Sequence, residues 1–326
     1  MLNYTKLFEL LNSHSKFIIT CHVNPDGDAI GSEIAIAGIL KQLKKEFIIL
    51  NTSDTPYNLE FLYSKNLVQK FDENKHVKYF ENFDAAIFLD LNDLRRTVRM
   101  EKYFRDFNGT KICIDHHLEP EDFTKHKFID RHKSSTGEII LDFVNSQSEL
   151  KLNKNIAQAL YTAILTDTGS FRFPKTTPEL HKKVAVLLEH NVKPFDVYDK
   201  IYGQDHLSRN KLLGEALSSL ELSGSGKISY MVIKQKHLKK TRAVESDVDG
   251  FINFGLAIAG VKIALLFFEL KDGVKISFRS KGNIPVNKVA QQFGGGGHKN
   301  AAGVRLFDVK LAIVLPKVLI ATEKIL

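Results

Sequence analysis

The sequence has few of the features that define secreted, membrane-spanning or disulfide-stabilised proteins. Its 326 residues include only two cysteines, Cys21 and Cys113, too few for a disulfide scaffold or a structural zinc site. No apolar run approaches the ~18 residues that cross a bilayer, because the longest, residues 258–270, is interrupted by a glycine and two charged residues. The first residues lack the apolar core and the cleavage site of a secretory signal. The sequence therefore predicts a cytoplasmic protein with no membrane association.

The chain also lacks blocks of five or six basic residues and low-complexity tracts, although positive charge predominates. There are 46 Lys and Arg against 38 Asp and Glu, which gives a net charge of +8. This excess fits a polyanionic partner such as a nucleotide or nucleic acid, but it is also common in proteins that need it only for solubility. A hydrophobic content of 43% is ordinary for a globular protein, and at roughly 150 residues per domain the length suggests two domains.

The first half alternates short apolar runs with amphipathic stretches, which is typical of an α/β fold built on a parallel sheet. The expected strands are residues 17–21, 47–50, 85–89 and 111–114. They are almost continuously apolar, as strands covered on both faces must be. A helix is expected between the first two strands, with Asp28 as its N-cap. Helices are also expected near residues 156–165 and 179–191.

The second half predicts a smaller α+β domain. Strands are expected at residues 227–233, 262–270 and 274–279, with a tight hairpin turn at 271–273 and a short helix at 286–292. The intervening segment mixes Pro, Gly and charged residues. We therefore expect a first domain at 1–191, a linker at 192–206 and a second domain at 207–326.

The expected strands are followed by side chains that bind metals. His22, Asp26 and Asp28 follow the first strand, and Asp90 follows the third. Two further groups complete the set: Asp115, His116 and His117 after the fourth strand, and Asp167 at the end of an apolar helix. Because ligands bind beyond the carboxyl ends of parallel strands, we expect these side chains to lie in one neighbourhood.

Such a concentration of carboxylates and imidazoles needs a compensating cation. Four carboxylates and two imidazoles, without a thiolate, suit Mn²⁺ or Mg²⁺ rather than structural zinc. Six protein ligands are too many for one ion that must also hold water and substrate. Two ions that share a bridging carboxylate fit better, and such a pair can bind a phosphoryl group and lower the pKa of a bridging water.

In their order along the chain, these residues resemble the four motifs of the DHH phosphoesterase family. The first motif comprises His22, Asp26, Asp28 and Gly31, and Asp90, the run from Asp115 to His117, and Asp167 follow. The resemblance implies that His22, Asp26, Asp28, Asp90, His116 and Asp167 are metal ligands, with Asp90 bridging two ions. It further implies that His117 contacts the scissile phosphate, that Asp115 orients the neighbouring imidazole and that Arg96 binds substrate. A helix start is expected at residues 134–138, capped by Ser135 or Thr136, and members of the family have a similar segment near the site.

A run of four glycines, residues 294–297, precedes His298 and resembles the signature of the DHHA1 domain that follows the DHH domain in this family. Successive glycines can adopt positive φ and direct several N–H groups at one anion. His298 adds a side-chain donor, and Arg279 can bind phosphate through its planar guanidinium. We expect Arg279, Gly295, Gly296, Gly297 and His298 to bind the substrate.

The resemblance implies a metal-dependent phosphodiesterase and phosphatase with its active site in the cleft between two domains. The two-domain length is most similar to that of oligoribonucleases that also dephosphorylate 3′-phosphoadenosine 5′-phosphate (pAp). The implied substrates are short RNA and pAp, the implied cofactors are two divalent ions, and a homodimer is among the expected assemblies. The alternatives are a hydrolase of linear or cyclic dinucleotides and a non-catalytic nucleotide-binding regulatory module. A pyrophosphatase of this family would lack the glycine run, and a long-strand DNA exonuclease would need further domains.

Overall fold

A computed structural model describes residues 2–117 and 120–326 and divides the chain into two compact units, Met1–Gln204 and Asp205–Leu326. None of the helices in these described ranges is long and apolar enough to span a membrane. In the first unit the elements are α1 Tyr4–Ser13, β1 Lys16–Thr20, α2 Gly27–Gln42, β2 Glu46–Asn51, β3 Val68–Lys70, α3 Glu73–Asn82, β4 Ala85–Leu89, α4 Glu101–Asp106, β5 Thr110–Asp115, β6 His126–Ile129, α5 Thr136–Ser146, α6 Lys154–Asp167, α7 Pro178–Glu189 and α8 Pro194–Tyr202. In the second unit they are α9 Leu207–Ser218, β7 Glu221–Leu222, β8 Ile228–Ile233, α10 Gln235–Thr241, α11 Ile252–Leu256, β9 Ile263–Glu269, β10 Gly273–Ser280, α12 Val286–Gln292, β11 Gly296–His298, β12 Ala301–Phe307 and α13 Leu311–Glu323.

The first unit is built on a six-stranded parallel sheet in the order β3-β2-β1-β4-β5-β6. Successive side chains of a strand point to opposite faces, so a strand buried on both faces contributes to two cores. Ile19 and Ile87 belong to the core beneath α1, α2, α5 and α6, whereas Ile18 and Phe88 belong to the core on the opposite face. The α/β fold with a parallel sheet that the sequence predicts is therefore confirmed.

Helix α2 begins two residues earlier than the sequence suggests. Asp26, not Asp28, is the N-cap, because its extended backbone lets Oδ1 accept hydrogen bonds from the N–H groups of Asp28 and Ala29 at 3.0 and 3.1 Å. The prediction that Asp28 caps this helix is wrong. Asp28 lies instead in the first turn, where it is buried.

Close packing of α2 against α6 depends on Gly31. A Cβ at this position would lie 2.5 Å from the carbonyl oxygen of Ala159 and 3.0 Å from the Cβ of Ala163, which is closer than side chains and backbone approach each other. The absent side chain therefore sets the distance between the two helices whose ends carry Asp28 and Asp167.

The second unit contains a six-stranded mixed sheet in the order β11-β12-β10-β9-β8-β7, in which β8 and β9 pair in parallel and the other described pairs are antiparallel. The expected hairpin is present, with the Leu270 N–H bonded to the Gly273 carbonyl at 2.8 Å. Residues of α12 and α13 pack on one face, and residues of α9 and α11 cover β8 and β9 on the other. The smaller, separate α+β domain is thus confirmed as a fold class.

Most of the segment expected to be a linker, residues 192–206, is helical. Val197 and Ile201 of α8 are buried in the core of the first unit, and Asn58 donates a hydrogen bond to the Ile201 carbonyl at 2.8 Å. Pro194, which favoured a break in the sequence, occupies the first turn of the helix, where proline is tolerated.

Gly31→Ala should destabilise the first unit by about 1–3 kcal/mol, because the added methyl must separate α2 from α6. The control is Gly214→Ala in α9, where a Cβ meets nothing within 4 Å. This change should stabilise the protein by about 0.5–1 kcal/mol through helix propensity alone. Thermal unfolding of both variants checks the pair, and equal effects would contradict the packing argument.

Candidate metal centre

The candidate site lies where the strand order of the first sheet reverses direction. From β1 the chain passes to β2 on one side, and from β4 it passes to β5 on the other. This arrangement opens a crevice beyond the carboxyl ends of β1 and β4. His22 follows β1 and Asp90 follows β4, so the topology itself brings the first two predicted ligands together.

Asp90 is the centre of the cluster. Its Oδ2 lies 3.2 Å from His22 Nε2, and its Oδ1 lies 3.5 Å from His116 Nε2 and 3.4 Å from His117 Nδ1. Thr136 Oγ1 donates to Oδ1 at 3.3 Å. Asp90 also adopts a left-handed backbone conformation with φ of 53°, a strained state that concentrates at functional sites.

The remaining predicted ligands complete overlapping groups around Asp90. His116 Nε2 lies 3.5 Å from Asp167 Oδ2 and 3.8 Å from Asp28 Oδ2, and His22 Nε2 lies 4.0 Å from Asp26 Oδ2. In the described part of the chain, three groups keep their ligand atoms within 4.8 Å of one another. They are His22 with Asp26 and Asp90, Asp90 with His116 and His117, and Asp28 with His116 and Asp167.

The start of α5 holds the carboxylate of Asp28. The N–H groups of Thr136 and Gly137 donate to its two oxygens at 2.8 and 2.9 Å, and Ser135 caps the helix by accepting from the Glu138 N–H. These donors are orphan groups of a helix N-terminus, which favours negative charge. The helix start and its cap are predictable from the sequence, whereas the hydrogen bonds from Thr136 and Gly137 to Asp28 are not.

The buried carboxylates of the cluster require compensating positive charge. Burial alone lowers the pKa of His22 and of His116, but hydrogen bonds to Asp90 and nearby carboxylates outweigh it and raise these pKa values to about 9 and about 10. Burial raises the pKa of Asp28 well above its usual range and that of Asp167 to about 6, and the charge of Asp90 adds to both. Protons on two imidazoles thus compensate carboxylates that would otherwise repel one another.

The donor set fits divalent cations. Carboxylate oxygens and imidazole nitrogens suit Mn²⁺ or Mg²⁺. The thiols of Cys21 and Cys113 are buried, and burial raises their pKa values, so they do not supply thiolates. The three overlapping ligand groups together offer more ligand atoms than one cation binds.

Two contacts orient the imidazoles. His22 Nδ1 lies 2.9 Å from the Val23 carbonyl, which makes Nδ1 the donor and leaves Nε2 as the atom that faces Asp90. Asp115, which is fully buried, accepts from His117 Nδ1 at 2.7 Å. The imidazole that contacts Asp115 is therefore that of His117.

A buried network behind His22 supports the end of β1. Asn51 Oδ1 accepts from the Cys21 N–H at 3.3 Å, and Asn51 Nδ2 donates to Glu33 Oε2 at 2.9 Å. Burial raises the pKa of Glu33 to about 8. No local sequence signal indicates this network, because Glu33 is one polar residue among several in a mostly apolar helix.

Cationic side chains border the cluster. Arg95 is exposed and pairs with Asp93, whereas Arg96 Nη1 lies 3.4 Å from the Asp90 carbonyl. Lys175, which the sequence analysis did not single out, places Nζ 3.4 Å from His116 Nδ1. Arg96, rather than Arg95, is thus the arginine beside the predicted ligands.

The second unit presents Arg279 on a partly open sheet face. Arg279 of β10 pairs with Ala264 of β9 and with Ala301 of β12, and residue 298 of β11 pairs with Ala301. The register therefore places positions 279 and 298 in one row across three strands. The side chain of His298 lies outside the described residues.

The glycine run is ordered by the elements around it. Gly294, with φ of 81°, follows α12 as a left-handed residue, and the N–H groups of Gly294 and Gly295 donate to the Gln291 and Ala290 carbonyls. Gly296 and Gly297 belong to β11. The expected nest of several anion-binding N–H groups is therefore reduced, because two of them already close the end of the helix.

Comparison with known proteins agrees with this architecture. The profile of the DHH family, N-terminal domain, matches residues 16–164, and that of the DHHA1 domain matches residues 227–323. The chain is similar to the bifunctional oligoribonuclease and PAP phosphatase NrnA of Thermus thermophilus (30% identity over 94% of this chain and 89% of the relative) and to that of Bacillus subtilis (28%, with 93% of each chain covered).

Among solved structures, the chain is similar to an exopolyphosphatase-related protein from Bacteroides fragilis, with a TM-score of 0.94 and 28% identity. That match covers 98% of this chain and 95% of the other. Both domain profiles occur in the order that the sequence motifs predict. The chain therefore belongs to the DHH phosphoesterase family and carries the DHHA1 domain.

Proposed function

We propose that this protein hydrolyses short oligoribonucleotides to nucleoside monophosphates and pAp to AMP and phosphate. The observation that carries the proposal is Asp90, which is shared by two overlapping ligand groups at the switch point of the sheet. A carboxylate in that position suits a two-ion phosphoesterase site. The relatives named as oligoribonuclease and PAP phosphatase supply the substrate class.

In this proposal, His22, Asp26, Asp28, Asp90, His116 and Asp167 hold two divalent cations, of which Mn²⁺ is the first choice. Such cations, when bound, neutralise phosphoryl oxygens and acidify a water that attacks phosphorus. The buried Asp90 and Asp28 keep their orientation through hydrogen bonds from Thr136 and Gly137. The ligand positions are therefore preorganised before substrate arrives.

Other residues orient the phosphate and the nucleotide. His117, held by Asp115 at Nδ1, donates to an oxygen of the scissile phosphate. Arg96 lies beside Asp90, so its guanidinium contributes positive charge to the bound phosphate. In the second unit, Arg279, Gly296, Gly297 and His298 bind the nucleotide. Gly295, whose N–H is bonded to the Ala290 carbonyl, adjoins them without donating that N–H, and the first unit cleaves the nucleotide.

Asp90→Asn should lower kcat/KM at least about a hundredfold and reduce the bound Mn²⁺ per chain. Asparagine keeps the size and tolerates the left-handed backbone of Asp90, so the change removes mainly the charge. Asp122→Asn, whose carboxylate is almost fully exposed beside Lys127, is the matched control. Elemental analysis and steady-state kinetics check the result, and normal metal content with normal turnover would exclude a bridging role for Asp90.

Arg279→Ala should lower kcat/KM roughly 10- to 150-fold, because a charge-assisted hydrogen bond contributes ~1.5–3 kcal/mol. Metal content should not change, since the predicted ligands lie in the other unit. The control is Arg305→Ala, which removes an arginine of the same sheet that already pairs with Glu245. Similar losses in both variants would indicate a general effect of charge and not a specific contact.

A substrate panel tests the reaction itself. Purified protein with Mn²⁺ should hydrolyse pAp and a dinucleotide faster than a 24-nucleotide RNA, and it should leave pyrophosphate intact. Rates are followed by chromatography of the products. A preference for cyclic dinucleotides would favour the alternative phosphodiesterase, and the absence of turnover on every phosphoester would contradict the proposal.

A further inference from the structure

Near the candidate metal centre, the first unit exposes aromatic rings to which the proposed reaction assigns no role. Phe173, Tyr198 and Tyr202 are 52%, 51% and 42% exposed, and we call these three residues the aromatic patch. The rings of Tyr198 and Tyr202 lie 4.8 Å apart. Exposed rings that cluster mark binding surfaces more often than isolated ones do.

The patch is anchored by an unusual turn directly after Asp167. Gly169, Ser170 and Phe171 have φ values of 57°, 60° and 62°, so three successive residues are left-handed, and two of them are not glycine. The Ser170 N–H donates to the Leu165 carbonyl at 2.8 Å, and the Phe171 N–H donates to Thr168 Oγ1 at 3.0 Å. The structure thus holds a disfavoured backbone in one defined place.

The ring of Phe173 packs against this turn. The ring of Phe173 covers Gly169 so closely that a Cβ there would lie 2.5 Å from it. Arg172 Nε donates to the Gly169 carbonyl at 2.5 Å. Burial raises the pKa of Tyr202, and hydrogen bonding from Ser170 and the charge of Arg172 partly offset that rise. Phe173 therefore packs directly on this turn, and Ser170 and Arg172 from the same turn act on the pKa of Tyr202.

The aromatic patch also borders the metal centre. Phe173 packs on Gly169, which lies two residues after Asp167, and the charge of Asp26 adds to the raised pKa of Tyr202. On the other side, Lys175 Nζ lies 3.4 Å from His116 Nδ1. Within residues 2–117 and 120–326, neither Arg172 nor Lys175 forms an ion pair with a carboxylate. Aromatic rings and positively charged side chains therefore lie near the predicted metal ligands.

We propose that Tyr202 and Phe173 form a stacking subsite for a nucleobase of the substrate, with Arg172 and Lys175 beside it for the phosphates. A nucleobase is joined to its phosphate through one sugar, so a base whose phosphate lies at the metal centre reaches only surfaces that border it. Aromatic rings accept any base because every base has a π-face. The inference rests on the proposed function and adds a recognition element within the first unit.

The test compares Tyr202→Ala, Tyr202→Phe and the control Phe307→Ala, which removes an exposed ring at the far end of β12. The substrates are a diadenylate and its two analogues that each lack one base. Tyr202→Ala should raise KM for the diadenylate about tenfold with kcat nearly unchanged. Tyr202→Phe keeps the ring and should retain the wild-type KM, as should Phe307→Ala.

The abasic analogues separate stacking from a structural effect. With the analogue that lacks the stacked base, the wild type should already show the raised KM, and Tyr202→Ala should add nothing. An unchanged KM in Tyr202→Ala on the diadenylate would overturn the inference, as would an equal rise on all three substrates. A change from dimer to monomer with base dependence intact would show instead that the patch joins two copies of the chain.

A binding measurement tests the stacking subsite independently of whether the protein catalyses the proposed hydrolysis. Titration calorimetry compares adenosine 5′-monophosphate with ribose 5-phosphate, which lacks the base. The wild type should bind the nucleotide about tenfold more tightly, and Tyr202→Ala should abolish that difference. Equal affinities in the wild type would overturn the stacking subsite, whereas failure of hydrolysis with the difference intact would contradict only the proposed activity.

Discussion

The first unit is organised around the mutual repulsion of buried carboxylates at one edge of a sheet. Asp28 and Asp90 are almost completely buried, and Asp167 is close to both, so the group is stable only if positive charge compensates it. Imidazoles and backbone N–H groups provide part of that compensation. Their arrangement leaves the oxygen and nitrogen atoms that a divalent cation would bind facing a common space, which is the basis of the proposed chemistry.

Rigid elements keep these groups in place. The contact at Gly31 holds α2 and α6 together, and those helices carry Asp28 and Asp167 at their ends. The N-terminus of α5 holds the carboxylate of Asp28, while Asn51 ties β2 to the end of β1 just before His22. A site supported by strands and helix ends changes geometry less than one built on loops, which favours a defined arrangement of the phosphate.

The two units carry different chemistry. The first contains the acidic cluster and the aromatic patch beside it, and the second contains a sheet face with Arg279 and an ordered glycine turn. The net charge of +8 is consistent with polyanionic substrates, but the charges that matter to the proposals are few. Arg96, Lys175 and Arg279 stand out because each is placed by a defined contact or register and not by abundance.

The sequence by itself determined the fold class and the set of candidate ligands, because continuous apolar strands and motif residues at their ends are local signals. It did not determine the cap of α2, which is Asp26, nor the helical state of residues 194–202, where buried Val197 and Ile201 outweigh the local proline. The donors to Asp28, the position of Lys175 and the left-handed turn at residues 169–171 came only from the tertiary structure. Each depends on segments far apart in the chain or on a backbone conformation that residue type alone does not specify.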